Sequence, residues 1–235
     1  MIEKIREAFK EINIECTDEQ LTKLDNYMND ILEYNEHINL TAIREPEEFI
    51  SKHYVDSAAI CSLPEYITAK KIIDVGTGAG FPGVPLAVLD QDKEFILSDS
   101  LLKKLKIVDE LTAKLAINNV ETVHGRVEDL GHNKEYREKF DLCVSRAVAN
   151  LSVLAEYCLP FVKVGGSMLA YKGPDVEEEL NSAKKAIKTL GGSVDRIETI
   201  EIAGFKHNII VIKKEKNTSG KYPRKAGTPS KMPIK

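Results

Sequence analysis

The sequence has little of what marks a metalloprotein or a membrane protein. Its four cysteines lie far apart without a Cys-x-x-Cys pair, and its five histidines are not clustered, so the spacing of metal ligands is absent. No apolar run approaches the ~18 residues that cross a membrane. Residues 1–15 are amphipathic and acidic, unlike a signal or transit peptide. We therefore expect a cytoplasmic protein with reduced cysteines, no bound metal and no membrane partner.

Charge is distributed unevenly along the chain. The formal net charge is −4, and acidic side chains outnumber basic ones over residues 1–70. Residues 213–235 carry eight lysines and arginines against Glu215 alone. An acidic protein with a basic segment can still present a local phosphate-binding patch, so the net charge does not exclude a nucleic-acid partner.

The hydrophobic pattern divides the chain into three parts. Residues 1–66 are predicted to form a helical extension, in which Thr17 and Gln20 have the spacing of a capping box. Residues 67–214 alternate short apolar runs with helical segments, which predicts an α/β core with a doubly wound, mostly parallel sheet of seven strands. The last two strands are expected to be antiparallel at one edge. Residues 215–235 contain Gly, Pro, Ser and Lys and are predicted to form a loose basic arm.

Four glycines follow the first apolar run, in the segment IIDVGTGAGFPG, residues 72–83. Glycine is costly to order, and an ordinary turn rarely needs four. A strand that enters a glycine-rich turn and then a helix lets a ligand approach the backbone and meet unpaired N–H groups of the helix. We interpret this segment as a ligand-binding loop.

Two ligands are consistent with the loop. Residues 78–83 satisfy Gly-x-Gly-x-x-Gly, the dinucleotide fingerprint, and no Gly-Lys-Ser/Thr follows, so a P-loop is excluded. Starting from Asp74, the pattern is Asp-x-Gly-x-Gly-x-Gly, which resembles motif I of class I S-adenosylmethionine-dependent methyltransferases. This second interpretation is favoured, because Asp74 can orient the loop and Phe81 stands where a pyrophosphate needs open backbone. Gly76 and Gly78 would then lie beside the cofactor.

Asp99 ends the second predicted strand, about 20 residues after the loop. A carboxylate there can accept both hydroxyls of an adenosine ribose. The alternative is a strand-end aspartate that caps the next helix. NAD-dependent enzymes show the same residue, so an NAD-dependent oxidoreductase remains an alternative, although no catalytic His, Tyr-x-x-x-Lys or substrate-carboxylate clamp is visible.

Eight short stretches, in order from residue 34 to residue 229, resemble one family. It is that of the bacterial ribosomal small-subunit RNA guanine-N7 methyltransferases, also called glucose-inhibited division protein B. Eight matches in register are more specific than any glycine string. The stretches are Tyr34-Asn35 with Asn39–Arg44, Lys52–Ser57, Asp74–Leu86, Ser98–Ser100 with Lys103-Lys104, Gly125–Glu128, Ser145–Ala149, Tyr171–Gly173 and Tyr222–Pro229.

The resemblance implies a Rossmann-like class I methyltransferase fold with an N-terminal helical extension, and S-adenosylmethionine as cofactor. It implies cofactor contacts at Gly76, Phe81, Val127, Glu128 and Arg146. The last three positions also have a physical rationale, because they follow the third and fourth strands, whose ends face the ligand crevice. The alternatives are a core valine, a helix-start carboxylate and a surface arginine. The family usually has alanine where this chain has Val127, so a contact there would use the backbone.

The implied substrate is 16S ribosomal RNA of the small subunit, not DNA. Guanine N7 has a lone pair and no proton, so its methylation needs no general base, and no catalytic residue is predicted. The target guanine must be unpaired or flipped out, because the major groove of A-form RNA is deep and narrow. Phosphate contacts are predicted at Arg126, Lys172, Arg224 and Lys225, with surface charges and a solvated arm as the alternative. An inactive RNA-binding or ribosome-assembly protein of the same fold is the remaining alternative function.

Overall fold

Seven strands form one sheet in the computed structural model, which describes residues 1–174, 176–202 and 205–234. The spatial order is β3-β2-β1-β4-β5-β7-β6. β1 to β5 pair in parallel, and β7 lies antiparallel between β5 and β6. This confirms the predicted mostly parallel sheet with an antiparallel edge. The strands are β1 Lys71–Val75, β2 Glu94–Asp99, β3 Val120–His124, β4 Phe140–Arg146, β5 Val162–Lys172, β6 Gly192–Ile202 and β7 Phe205–Lys214.

The strand order reverses at β1. The chain runs outward from β1 to β3 and then returns to place β4 on the other side of β1. In doubly wound sheets, a crevice opens at such a point along the carboxyl ends of the strands. Those ends are where Gly76, Asp99 and Arg146 lie, directly after or at the last residues of β1, β2 and β4.

Helices cover both faces of the sheet. One buried cluster contains the apolar residues of α2, α6 and α7, and another contains those of α9 and α10. The helices are α1 Ile2–Glu11, α2 Asp18–Asn35, α3 Pro46–Phe49, a π-helix Ile50–Val55, α4 Asp56–Ala58, α5 Pro64–Thr68, α6 Gly83–Leu89, α7 Leu102–Lys114, α8 Val127–Leu130, α9 Leu151–Cys158, a 3-10 helix Leu159–Phe161, α10 Glu177–Thr189 and α11 Thr228–Lys231.

The helical extension packs directly against the glycine loop. The capping box at the start of α2 is confirmed, because the Thr17 hydroxyl accepts the Gln20 N–H and the Gln20 side chain accepts the Thr17 N–H. Tyr27, which is fully buried on α2, donates its hydroxyl hydrogen to the carbonyl of Ala79 at 2.9 Å. The extension therefore fixes the position of the loop as well as covering the core.

The C-terminal segment differs from the predicted loose arm, because it is docked on the core. The Arg137 guanidinium donates to carbonyls of Gly131, Thr218 and Tyr222 at 2.7 to 2.9 Å. The tail then forms α11, whose Pro229 is buried. Its many Gly, Pro and Ser residues make no periodic pattern, so the sequence alone did not predict these long-range hydrogen bonds.

Candidate functional site

A cavity of about 310 Å³ opens at the carboxyl ends of β1, β2 and β3. We call it the first cavity. Its floor is formed by backbone and side chains that directly follow the three strands, and its far side is formed by α9 and α11. The residues that line it are Val75, Gly76, Ser98, Asp99, Ser100, Gly125, Arg126, Val127, Glu128, Val148, Tyr157, Gly227 and Ser230.

The glycines of the loop have different roles. Gly76 has a φ of +75°, and an added Cβ would lie 2.4 Å from Cγ2 of Val148 at the wall of the first cavity. Gly78 has a φ of +60° with open space around it. Gly80 is crowded by the Tyr27 hydroxyl, and Gly83 by the side chains of Leu97 and Asp74. All three crowded glycines therefore allow close packing, and of these only Gly76 also lines the first cavity.

Asp74 holds the loop from inside the protein. Its Oδ2 accepts the Thr77 hydroxyl at 2.6 Å and the Gly83 N–H at 2.9 Å, whereas its Oδ1 is buried without a hydrogen-bond partner among the described residues. Burial raises the pKa of this carboxyl to about 6, against the hydrogen bonds that lower it. Asp74 is fully buried and does not line the first cavity, so it orients the loop from the protein interior.

Asp99 joins the first cavity to the glycine loop. Its Oδ2 accepts the Gly78 N–H at 2.9 Å, and its Oδ1 accepts the Leu101 N–H at 2.8 Å. The N-cap residue of α7 is Leu101, so Asp99 is not the helix cap that the sequence left as the alternative. The carboxylate is half-buried and lines the cavity.

The residues after β3 form a further part of the lining. Arg126 is the exposed N-cap residue of α8, and Val127 and Glu128 begin that helix. Glu128 is buried, and its Oε1 accepts the N–H of Gly227 at 2.8 Å. Glu128 is therefore a helix-start carboxylate and a cavity residue at once, and it holds the C-terminal segment over the cavity.

Phe81 lies away from the first cavity. Its ring is buried, stacked on the His53 ring with centroids 4.2 Å apart, and it contacts Tyr27 and Phe49 edge to face. The predicted contact of Phe81 with a cofactor stays a prediction. Its observed role is to pack the glycine loop against the helical extension.

Arg146 and Lys172 line a second cavity, of about 270 Å³, beside the first. Arg146 donates from Nη1 to Asp56 Oδ2 at 2.6 Å, and Lys172 donates to Glu179 at 2.6 Å. The structure thus places Arg146 with residues of the extension rather than with Gly76 and Asp99. The residues lining the second cavity are Asp56, Arg146, Ala147, Tyr171, Lys172, Gly173, His207, Asn208 and Ile209.

The geometry around Arg146 fixes the state of His53. Nη2 of Arg146 donates to Nδ1 of His53 at 2.8 Å, so the proton of the neutral ring is on Nε2, which lies 2.7 Å from the Thr41 hydroxyl. Burial, together with the charge of Arg146, lowers the pKa of His53 to about 3. The residues of the π-helix thus hold Arg146 from one side, because the Lys52 carbonyl accepts from Nη1 at 2.9 Å.

The two predicted phosphate-binding residues of the tail are in different environments. Arg224 binds the fully buried carboxylate of Glu156 through Nη2 at 2.7 Å and Nε at 2.9 Å, and its backbone N–H donates to the same group. Lys225 is exposed. Arg224 thus has a structural partner, and its contact with RNA stays a prediction.

Several residues of the two cavities were missed by sequence reasoning. Tyr157 and Ser230 face the first cavity from α9 and α11, and Asp56 and His207 face the second. Asp56 lies in the quoted stretch Lys52–Ser57, but nothing local to that stretch indicates its distant partner Arg146. Within the described ranges, no group of three His, Cys, Asp or Glu residues could hold a metal ion, and no helix is long and apolar enough to cross a membrane.

Comparisons with known proteins agree with the fold. Residues 20–210 match the family model described as rRNA small subunit methyltransferase G. The ribosomal RNA small subunit methyltransferase G of Alkaliphilus oremlandii (strain OhILAs) is 50% identical over 234 residues, which are 98% of each chain. The protein of the same name from Clostridium novyi (strain NT) is 48% identical over 229 residues, covering 97% of this chain and 94% of the relative.

Solved structures resemble this chain at low identity. One is the O-methyltransferase TomG from Streptomyces achromogenes in complex with SAM, with a TM-score of 0.58, 12% identity, and coverage of 90% of this chain and 96% of that one. Another is cofactor-bound Rv0187 from MTB, with a TM-score of 0.58, 14% identity, and coverage of 83% and 91%. These likenesses show the fold, which is the predicted class I methyltransferase fold. The match over residues 20–210 and the relatives near 50% identity show that the chain belongs to the rRNA small subunit methyltransferase G family.

Proposed function

We propose that this protein transfers the methyl group of S-adenosylmethionine to N7 of a guanine in 16S ribosomal RNA of the small subunit. The observation that carries the proposal is the first cavity, in which Gly76, Asp99 and Glu128 converge from three strand ends in a chain of this family. Parallel sheets bind their ligands at this edge. Ribosomal RNA as substrate also supports action in the cytoplasm.

The residues of the first cavity fit this cofactor. Gly76 presents bare backbone to the first cavity, and a Cβ there would clash with Cγ2 of Val148, another residue of the lining. Each oxygen of Asp99 accepts one backbone N–H and keeps a lone pair for a ribose hydroxyl. The two carboxylates, Asp99 and Glu128, suit a ligand that carries cationic groups. We assign Gly76, Gly78, Asp99, Val127 and Glu128 to hold the cofactor.

The chain's own task is to bind and align. When bound, the cofactor supplies a methyl group on a positively charged sulfur, which is already activated for displacement. Guanine N7 brings a lone pair and no proton, so the protein gains rate by proximity and orientation rather than by proton transfer. The neutral His53, whose pKa is about 3 and whose ring nitrogens are both engaged, is in keeping with a site without a general base.

Two exposed basic residues, one in the lining of the first cavity and one close to it in sequence, support an RNA substrate. Arg126 lines the cavity and is exposed, and Lys225 is exposed two residues before Gly227, another residue of the lining. We assign these two side chains to bind the phosphates around the target guanine. We assign the same role to Lys172, which lines the second cavity. The NAD-dependent alternative is not favoured, because the family model and the curated relatives are methyltransferases.

A methyl-transfer assay tests the proposal. Protein is mixed with isotopically labelled S-adenosylmethionine and small subunits that lack the modification, and the labelled nucleoside is identified by mass and mapped. We expect 7-methylguanosine at one position. Label in another nucleoside contradicts the proposed reaction, and absence of label despite cofactor binding favours the inactive assembly protein.

A matched pair of variants ties the reaction to the first cavity. Asp99→Ala should weaken cofactor binding and lower the rate at least about tenfold, because it removes a charged hydrogen-bond acceptor. Asp92→Ala removes an exposed carboxylate from the turn before β2, at the other end of the strand, and should change neither quantity. Equal effects of the two variants would remove Asp99 from the site.

A further inference from the structure

The second cavity adjoins the first across a single turn of chain. After β4, Ala147 lines the second cavity and the next residue, Val148, lines the first. A group bound in the second cavity therefore lies beside a group bound in the first. The reaction proposed above needs two such groups, the cofactor and an extruded guanine, and the first cavity accounts for the cofactor alone.

A buried carboxylate faces the second cavity. Asp56 is 6% exposed, its Oδ2 accepts Nη1 of Arg146 at 2.6 Å, and its Oδ1 lies 3.0 Å from Nδ1 of His207. Burial alone would raise the pKa of Asp56, but the hydrogen bond from His207 and the charge of Arg146 hold it below its usual range. Asp56 is thus an ionised acceptor, and each of its oxygens keeps a lone pair.

The extension holds the cation next to Asp56. Arg146 donates from Nη1 to Asp56 and to the Lys52 carbonyl, and from Nη2 to His53. These hydrogen bonds turn two of its nitrogens toward the protein. Arginine commonly binds O6 and N7 of guanine together, which would block the atom to be methylated. The extension uses both N–H groups of Nη1, so the Nη1–Nη2 edge of Arg146 is not available to bind guanine in this way.

We propose that the second cavity receives the target guanine and that Asp56 accepts hydrogen bonds from its N1–H and its exocyclic 2-amino group. This inference rests on the proposed function. These two donors lie on the edge opposite N7, so binding them to Asp56 turns N7 toward the Ala147–Val148 turn and the first cavity. Adenine has no N1–H and no 2-amino group, so it would leave the buried carboxylate unpaired and be rejected.

The same contact favours the transition state. Transfer of a methyl group to N7 makes the ring cationic and its N1–H more acidic. The hydrogen bond to the Asp56 carboxylate therefore strengthens as the methyl group arrives, and interactions that strengthen in the transition state raise kcat. Asp56 is in this way a specificity-determining residue that also accelerates the reaction.

The test couples Asp56 to the 2-amino group of the base. Small subunits are reconstituted with guanosine or inosine at the mapped position, since inosine keeps N1–H and N7 but lacks the 2-amino group. Single-turnover methylation rates are measured with excess wild-type protein and with excess Asp56→Asn. We expect the wild type to lose about tenfold on inosine, as for a hydrogen bond to a charged group. Asp56→Asn should methylate guanosine more slowly than the wild type does, and its rate on inosine should be less than twofold below its own rate on guanosine.

A matched variant and a folding control complete the design. Glu65 is likewise a buried carboxylate with two cationic partners, Arg196 and Lys213, but it lines neither cavity. Glu65→Gln should keep the tenfold discrimination. An unchanged affinity of Asp56→Asn for S-adenosylmethionine, measured by calorimetry, shows that the variant is folded. If Asp56→Asn does not fold, Asp56→Glu is used instead, because it keeps the charge but displaces the acceptor oxygens.

Two outcomes overturn the inference. One is that the wild-type protein methylates inosine as fast as guanosine, a result that can be interpreted without any variant. The other is an equal loss on inosine in the wild type and Asp56→Asn. Failure of the proposed function gives a different result, because no 7-methylguanosine then forms with any protein.

Discussion

At the scale of single residues, Gly76 and Gly165 both have a positive φ, but only Gly76 lies at the first cavity. Gly76 has a φ of +75° at the first cavity, and Gly165 has a φ of +85° near the start of β5, with open space around it. A side chain is strained at either position, by about 1–3 kcal/mol. At Gly76 an added Cβ would also lie 2.4 Å from Cγ2 of Val148 and so disturb the wall of the first cavity, whereas Gly165 has open space.

Gly76→Val should therefore weaken S-adenosylmethionine binding at least about tenfold, an effect near 1.4 kcal/mol. Gly165→Val introduces backbone strain of the same kind without the clash, and it should leave the affinity unchanged while lowering the free energy of unfolding. Calorimetric titration and urea unfolding of the two variants measure both quantities. Wild-type affinity in Gly76→Val would show that Gly76 does not contact the cofactor.

Arg224 and Lys225 are adjacent but differ in what their removal does. Arg224→Ala leaves the fully buried Glu156 carboxylate without its cation, which should cost about 3–5 kcal/mol of unfolding free energy. Lys225→Ala, at an exposed site, should cost less than about 0.5 kcal/mol. Urea unfolding compares the two, and adding Glu156→Gln to Arg224→Ala should recover part of the loss. Equal stability of the single variants would mean that the ion pair contributes nothing.

At the scale of elements, the junction of β1, the glycine loop and α6 depends on one carboxyl group. Asp74 accepts from Thr77 at the start of the loop and from Gly83 at the start of α6, so it joins the two ends of the turn. Its other oxygen is buried and unpaired among the described residues. The loop is therefore held at an electrostatic cost.

The raised pKa of Asp74 predicts that the stability of the protein depends on pH. The pKa of Asp74 is raised from 3.8 to about 6 in the folded protein, so the folded state binds the proton more tightly than the unfolded state. Its contribution to stability is full below pH 4 and is lost as pH rises through about 6. Asp74→Asn does not titrate, so its stability relative to the wild type should rise by about 2–3 kcal/mol between pH 4 and pH 7. Urea unfolding at four pH values measures this difference, and a constant difference would contradict the assigned pKa.

The π-helix at Ile50–Val55 is a second element whose position matters. It presents the Lys52 carbonyl and the His53 ring to Arg146, and Asp56 follows it directly. An irregular helical turn of this kind is frequent at functional sites. The helical extension thus builds one wall of the second cavity in addition to burying apolar surface.

At the scale of the whole molecule, a chain with a net charge of −4 has to bind an anionic polymer. The structure places the exposed Arg126 in the lining of the first cavity and the exposed Lys225 two residues before Gly227, which also lines it; both lie far in sequence from the acidic extension. The binding surface is therefore local, and the net charge says little about it.

Salt dependence tests this local surface. Each phosphate contact contributes about 0.7 to 0.9 to the slope of log affinity against log salt concentration. Arg126→Ala with Lys225→Ala should therefore lower the slope for small-subunit RNA by about 1.5. Lys10→Ala with Lys188→Ala makes the same change in net charge at exposed positions that line neither cavity. A similar fall in slope for both pairs would show that net charge, rather than these two contacts, governs binding.

The sequence by itself determined the fold class, the glycine loop and the strand-end residues Asp99 and Glu128. These features are local: alternating apolar runs specify parallel strands, and residues that directly follow such strands must lie at one edge of the sheet. The same reasoning placed Arg146 at that edge. It could not choose which of two adjoining cavities Arg146 would line.

Only the tertiary structure decided the pairings between distant residues. Phe81 packs against the extension, Arg224 pairs with Glu156, and Asp56 pairs with Arg146, 90 positions away in the chain. A charged side chain carries no local sign of the partner that will satisfy it. That partner is set by the packing of helices against the sheet, and a buried charge requires one because its desolvation is too costly otherwise.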